Sequence, residues 1–168
     1  KLLAEAGYPN GFETVLSALP SVDGASQCIE VAETIAYQLS QVGVKAKIDT
    51  LDRATDFQRY RAREYKMYMY AWPENPEPDR YLYTLFHSKA RGYYYKNDNA
   101  DKLLDQGRMT LDIAERRKVY ESLHRVVVDD APWVFLYNQK LGYGIRHDVK
   151  WEAPWDNYIR LADIDVVR

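Results

Sequence analysis

The sequence predicts an α/β fold with a sheet flanked by helices, and three patterns predict it. An alternation of period two runs over residues 44–49, a helical stripe runs over residues 26–42 just before it, and a β-branched, apolar stretch over residues 12–19 precedes both. Strand, helix and strand in that order form an α/β layer. At 168 residues the chain suits one core, because single domains commonly hold about 100–200 residues.

Taken in order, Lys1-Leu2-Leu3-Ala4-Glu5-Ala6-Gly7 reads as the last turns of an amphipathic helix closed by glycine. It resembles neither an initiator Met nor a signal peptide, so the natural polypeptide is expected to begin earlier. After the turn Tyr8-Pro9-Asn10-Gly11, a buried strand is expected over residues 12–19, stopped by Pro20. In the next helix Ile29, Ala32, Ile35, Ala36, Leu39 and Val42 recur at three- and four-residue steps, and Gly43 ends it. Cys28 is placed mid-helix as a small buried hydrophobe. Val44, Ala46 and Ile48 then alternate with Lys45, Lys47 and Asp49, giving a strand with one wet face.

A short charged helix is expected over residues 55–64, with Phe57 and Tyr60 on one side. A third strand follows, where Met67, Met69 and Ala71 alternate with Tyr68, Tyr70 and Trp72. The three prolines of Pro73-Glu74-Asn75-Pro76-Glu77-Pro78-Asp79 make that segment a rigid acidic loop before a helix over residues 80–87. Asp112 and Glu115 have capping-box spacing ahead of Val119, Tyr120, Leu123, Val126 and Val127, a helical face ending near Asp129-Asp130. Two short strands are expected at residues 132–137 and 141–145, then an irregular segment over 151–158.

Composition excludes several function classes. The net charge of -2 gives no positive field for phosphates, so nucleic acid is not an expected partner. Apolar runs stay far below the roughly 20 residues of a membrane-crossing helix. A single cysteine rules out an internal disulfide and a cysteine-rich metal site. The departure from average is aromatic: 15 Tyr and 4 Trp, clustered at Tyr65, Tyr68, Tyr70 and Trp72, at Tyr81 and Tyr83, and at Tyr93, Tyr94 and Tyr95. Such rings suit half-buried surfaces and binding walls, although core filling accounts for most of them. In the run Tyr93-Tyr94-Tyr95 at least one ring should meet the core and another the surface.

No constellation for catalysis stands out. His87, His124 and His147 lack metal-ligand spacing, and His124 and His87 read as ordinary polar residues, the first partly exposed and the second at a helix end. There is no Gly-x-Ser-x-Gly elbow and no phosphate-cradling loop. No catalytic residue, metal or cofactor is therefore expected; a hydrolase using Glu74 and Asp79 as acid and base is the least favoured reading. Asp129 and Asp130 read as a solvated turn.

The acidic proline loop carries the sharper reading. Trp72 supplies a flat apolar surface and Glu74 can accept charge-assisted hydrogen bonds from a ligand ammonium. On the residues alone a solvated acidic turn fits equally well. The candidate ligand-binding set is Trp72, Glu74, Asn75, Glu77 and Asp79.

The order of these elements resembles the family 5 peptide-, dipeptide- and nickel-type solute-binding proteins of ABC importers. These stretches carry it: Leu2-Leu3-Ala4-Glu5-Ala6-Gly7-Tyr8-Pro9-Asn10-Gly11 with Ile35 to Ile48; Met69-Tyr70-Ala71-Trp72 with Pro76-Glu77-Pro78-Asp79-Arg80-Tyr81-Leu82 and Leu85-Phe86-His87-Ser88; and Asp101 to Asp105, then Glu115-Arg116-Arg117 through Asp130-Ala131-Pro132-Trp133-Val134-Phe135-Leu136-Tyr137. The resemblance implies a periplasmic-binding-protein-like lobe with a mixed sheet, a fragment of a larger two-lobe protein. Residues 1–140 would form the ligand-binding lobe and 141–168 the closing strands and C-terminal segment returning toward the other lobe. It further implies a non-enzymatic, periplasmic or extracellular protein, monomeric at full length, that captures an oligopeptide or dipeptide for a membrane permease. An oligosaccharide or other polar solute is the alternative ligand. In peptide-binding relatives an acidic residue shortly after the Trp pairs with the ligand's amino group; Glu74 is its counterpart, in a loop one residue shorter and with Glu in place of Asp.

Overall fold

Alternating apolar residues build the first sheet. In the computed structural model, which describes residues 1–22, 27–72, 77–90, 94–156 and 158–166, strand β1 (Phe12–Ala18) lies between β2 (Val44–Thr50) and β3 (Met67–Met69) in the order β2-β1-β3. Both pairings are parallel, with Leu16 opposite Ile48 on one side and Met67 on the other. The chain divides into two units, residues 1–73 and 74–168.

In the first unit, helix α1 (Leu2–Glu5) closes as its sequence predicts. The Gly7 and Tyr8 amides donate to the Ala4 and Leu3 carbonyls at 3.1 and 2.8 Å, and Gly7 takes φ +88°, the arrangement of a Schellman cap. Helix α2 (Cys28–Ser40) packs Ala32, Ile29 and Ile35 onto Leu16, Ala18, Ala46, Ile48, Met67 and Met69. Cys28 is buried as expected, but it opens the helix rather than sitting within it. A second cluster joins it to Leu19, Val22, Leu51, Met69, Tyr70 and Ala71.

A polar and aromatic network accompanies helix α3 (Arg53–Ala62). Arg59 donates to Asp49 on β2 at 2.6 Å, and Ser17 on β1 donates to the same carboxylate at 3.4 Å. Of the two rings expected on one side of α3, Tyr60 lies 6.1 Å from the Tyr68 ring and Phe57 is exposed, while the buried residue is Asp56, which accepts the Tyr65 hydroxyl at 2.8 Å. A charged helix with few apolar groups is held by polar contacts.

The third strand is shorter than its alternation predicts. Its ladder ends at the pair Ala18–Met69, and β1 cannot go on past Pro20, which has no amide to donate. Tyr70, Ala71 and Trp72 continue beyond the ladder.

The second unit is built on three helices, α4 (Pro78–Phe86), α5 (Asp98–Met109) and α6 (Ile113–Asp130). Leu85 and Phe86 from α4, Ala100 and Leu104 from α5, and Leu123 and Val127 from α6 share one core with Tyr95. Tyr94 is exposed, so that pair divides between core and surface as expected; Tyr93 lies outside the described residues. Asp112 caps α6 by accepting the Glu115 amide at 2.9 Å, and the helix ends where its pattern predicts. Asp130 is more than a solvated turn, since it accepts the Tyr95 hydroxyl at 2.6 Å and the Asn97 side-chain Nδ2 at 2.7 Å.

Three further expectations are corrected. Helix α4 begins at Pro78, two residues early, because proline's fixed φ suits the first helical position and Glu77 caps it. Residues 132–137 and 141–145 form no strand: a strand needs a hydrogen-bonded partner, and here Val134 is 81% exposed, with Phe135 and Ile145 exposed as well. Instead β4 (Val149–Lys150) and β5 (Asp165–Val166) make a short antiparallel ribbon, so the segment read as irregular is flanked by pairing.

Candidate functional site

The strand order β2-β1-β3 creates a topological switch point, because the chain moves from β1 to one neighbour and then crosses to the other. In open parallel sheets, ligands bind at such points beyond the carboxyl ends of the strands. Trp72 lies three residues beyond Met69, the last residue of β3. Its alternate neighbours share its face: the Tyr68 and Tyr70 centroids are 5.4 Å apart, and those of Tyr70 and Trp72 are also 5.4 Å apart.

Tyr65 extends this row inward, stacked on Tyr68 at 4.3 Å with ring planes 3° apart. Burial pushes the Tyr68 phenol well above its ordinary pKa, and its hydrogen bond to Asp56 adds to the rise. Trp72, at 37% exposure, is the outermost ring of the row.

Of the other predicted site residues, Glu74 and Asn75 lie outside the described residues. Glu77 and Asp79 are both engaged within the second unit. Glu77 Oε1 accepts the Asp79 amide at 3.1 Å, and its two oxygens accept the two terminal guanidinium nitrogens of Arg116, one of them at 3.1 Å. Those hydrogen bonds, Arg116 first, hold the Glu77 carboxyl below the usual range. Asp79 accepts Arg108 Nε at 3.0 Å.

Each arginine is itself fixed. Arg116 Nε donates to the Gly107 carbonyl at 2.9 Å, and a terminal nitrogen lies 3.3 Å from the Tyr120 hydroxyl. Arg108 lies 3.6 Å above the Tyr83 ring, which stacks on His87 at 4.3 Å. His87 is therefore not an ordinary residue at a helix end: it is 2% exposed, accepts the Lys89 amide at Nδ1, and has Nε2 3.4 Å from Asp105.

The arginine partners had no signal in the sequence, since Glu77 and Arg116 are 39 residues apart without a periodic link. The aromatic row was foreshadowed by the alternation of Tyr68, Tyr70 and Trp72. Among the described residues no group of three or more His, Cys, Asp or Glu side chains could hold a metal ion, and no helix is long and apolar enough to cross a membrane.

Residues 1–93 match the family model of bacterial extracellular solute-binding proteins, family 5 Middle. The chain belongs to this family. The glutathione-binding protein GsiB of Escherichia coli K12 is 31% identical over 153 residues, covering 84% of this chain and 29% of GsiB. HbpA2 from Haemophilus parasuis superposes with a TM-score of 0.73 at 32% identity, covering 78% of this chain and 27% of HbpA2. The ABC transporter-associated periplasmic binding protein DppA from Helicobacter pylori, solved with the peptide STSA, gives 0.70 at 28% identity, covering 79% of this chain and 27% of DppA. The chain thus spans less than a third of the length of these family members, and the α/β architecture expected from the sequence is theirs.

Proposed function

We propose that this chain is part of the substrate-binding component of an ABC importer, which captures an oligopeptide or dipeptide between two lobes and delivers it to a membrane permease outside the cytoplasm. The observation that carries this reading is the aromatic row ending at Trp72, beyond the carboxyl end of β3, with Glu74 two residues further along the chain. The ring packs against apolar parts of the ligand, and Glu74 accepts hydrogen bonds from its ammonium, with Asn75 beside it. Residues 1–140 belong to the binding lobe, and 141–168 close it and return toward the other lobe. The GsiB and DppA names, glutathione-binding and peptide-bound, support a peptide-like ligand.

Two lobes matter because hinge closure is selected only by contacts made in the closed state. Calorimetric titration of di- to tetrapeptides into the full-length protein tests the reading. Peptide binding that weakens at least tenfold in Trp72→Ala and in Glu74→Ala supports it. A protein that binds no peptide, or one whose affinity is unchanged in both variants, sinks it.

A further inference from the structure

Glu77 and Asp79 were candidate ligand contacts, but their carboxylates already have partners. The two residues flank Pro78 at the start of α4, and each is held by an arginine from another helix: Glu77 by Arg116 of α6, Asp79 by Arg108 of α5. In the Glu77–Arg116 pair, two oxygens on two guanidinium nitrogens fix orientation as well as distance. Arg116 is tied in turn to the Gly107 carbonyl and placed by Tyr120, while Arg108 lies on the Tyr83 ring.

Gly107 contributes to the same arrangement. A Cβ at Gly107 would lie 2.8 Å from Tyr120 Cζ. The missing side chain lets Tyr120 approach α5 closely, where its hydroxyl meets Arg116.

We infer that Arg116 and Arg108 are positioning residues for ligand recognition, anchoring the start of α4 through Glu77 and Asp79, so that Glu77 acts through Arg116 and not by touching the ligand. The inference rests on the proposed peptide-binding reading and assigns separate roles within its acidic segment. Chain connectivity supplies the link: Glu74 precedes Glu77 by three residues, which span at most about 10 Å.

The two roles of Glu77 predict opposite signs. If Glu77 contacts the ligand ammonium, Arg116 competes with the ligand, and Arg116→Gln leaves affinity unchanged or raises it. If Glu77 is an anchor, Arg116→Gln lowers it. The test is peptide titration into the full-length protein carrying Arg116→Gln, Arg116→Lys, Glu77→Ala, the pair Arg116→Gln/Glu77→Ala, and Arg116→Gln combined with Glu74→Ala.

The expected result is a loss of about tenfold in Arg116→Gln and in Glu77→Ala, no further loss when the two are combined, and partial recovery in Arg116→Lys. In the Glu74→Ala background Arg116→Gln should cost less than threefold, because the contact it positions is already gone. Unchanged or tighter binding in Arg116→Gln overturns the inference, as does additive loss in the pair.

Amide hydrogen exchange at Asp79, whose N–H donates to Glu77, gives a readout that needs no ligand. Exchange at least tenfold faster in Arg116→Gln, with the rest of α4 unchanged, supports the anchor; an unchanged rate overturns it. Should the unaltered protein bind no peptide, the functional reading fails on its own, and the exchange rates still decide the anchor.

Discussion

A Cβ placed on Gly11 would lie 1.9 Å from the carbonyl oxygen of Gly43 and 2.5 Å from its carbonyl carbon. The two glycines, at φ +75° and +89°, let the turn before β1 meet the turn before β2, where the first pair of the ladder, Phe12 with Val44, begins. Gly11→Ala thus faces a strained backbone and a clash that only backbone movement relieves. We expect it to cost more than about 3 kcal/mol. Gly7→Ala, at φ +88° with open space around it, should cost only about 1–2 kcal/mol. Denaturant unfolding of both variants checks the ranking; equal losses would remove the close approach as the cause.

Leu104 is completely buried where α4, α5 and α6 meet. Leu104→Ala leaves a cavity beneath Phe86 and Leu123 and should destabilise the second unit by about 3 kcal/mol. Ile113→Ala, at a residue 85% exposed, should stay within about 0.5 kcal/mol of the unaltered protein. Thermal unfolding distinguishes the two, and a comparable loss at Ile113 would show that its exposed face is covered in the intact protein.

Carboxylates set the acid limit of the second unit. Burial works to raise the Asp101 carboxyl, but hydrogen bonds from the Ser88 hydroxyl and amide outweigh it and hold the group low. Hydrogen bonds from Tyr95 and Asn97 lower Asp130. A folded-state pKa below the unfolded value contributes stability that is complete above the unfolded pKa, about 3.9 for Asp, and is lost as pH falls through the folded value. Unfolding temperature should hold from pH 7 to 5 and fall below about pH 4. Asp101→Asn/Asp130→Asn should start lower and fall less steeply there; parallel curves would discount both groups.

The cap of α3 is a local test. Asp52 accepts the Ala54 and Thr55 amides at 2.9 and 3.0 Å and the Thr55 hydroxyl at 2.6 Å. Asp52→Ala should cost about 1 kcal/mol, and Asp52→Asn or Asp52→Ser should restore most of it. Equal losses in all three would mean that charge, not cap geometry, is what matters.

What the sequence determined by itself was local: the glycine cap of α1, the stripe of α2, the alternation of β2, and the Asp112 cap and buried face of α6. Each follows from the period of apolar residues or from a capping group within four residues, so neighbours along the chain suffice. The row of Tyr68, Tyr70 and Trp72 was legible for the same reason, because alternation puts the three rings on one face.

Tertiary structure decided what depends on distant partners. The β-branched and aromatic stretches at residues 132–137 and 141–145 have strand composition but no ladder, since pairing requires a second strand and not propensity alone. The ladder of β3 ends where β1 ends, at the pair Ala18–Met69, two residues before Pro20. Glu77 and Asp79 read as candidate ligand contacts in an acidic loop, and only the fold shows that Arg116 and Arg108 meet them from 39 and 29 residues away. His87 meets its carboxylate neighbour only because the packing of α5 brings Asp105 to its ring. A charge's role depends on what neutralises it, and which groups come together in space is set by the packing of whole helices, which no local period encodes.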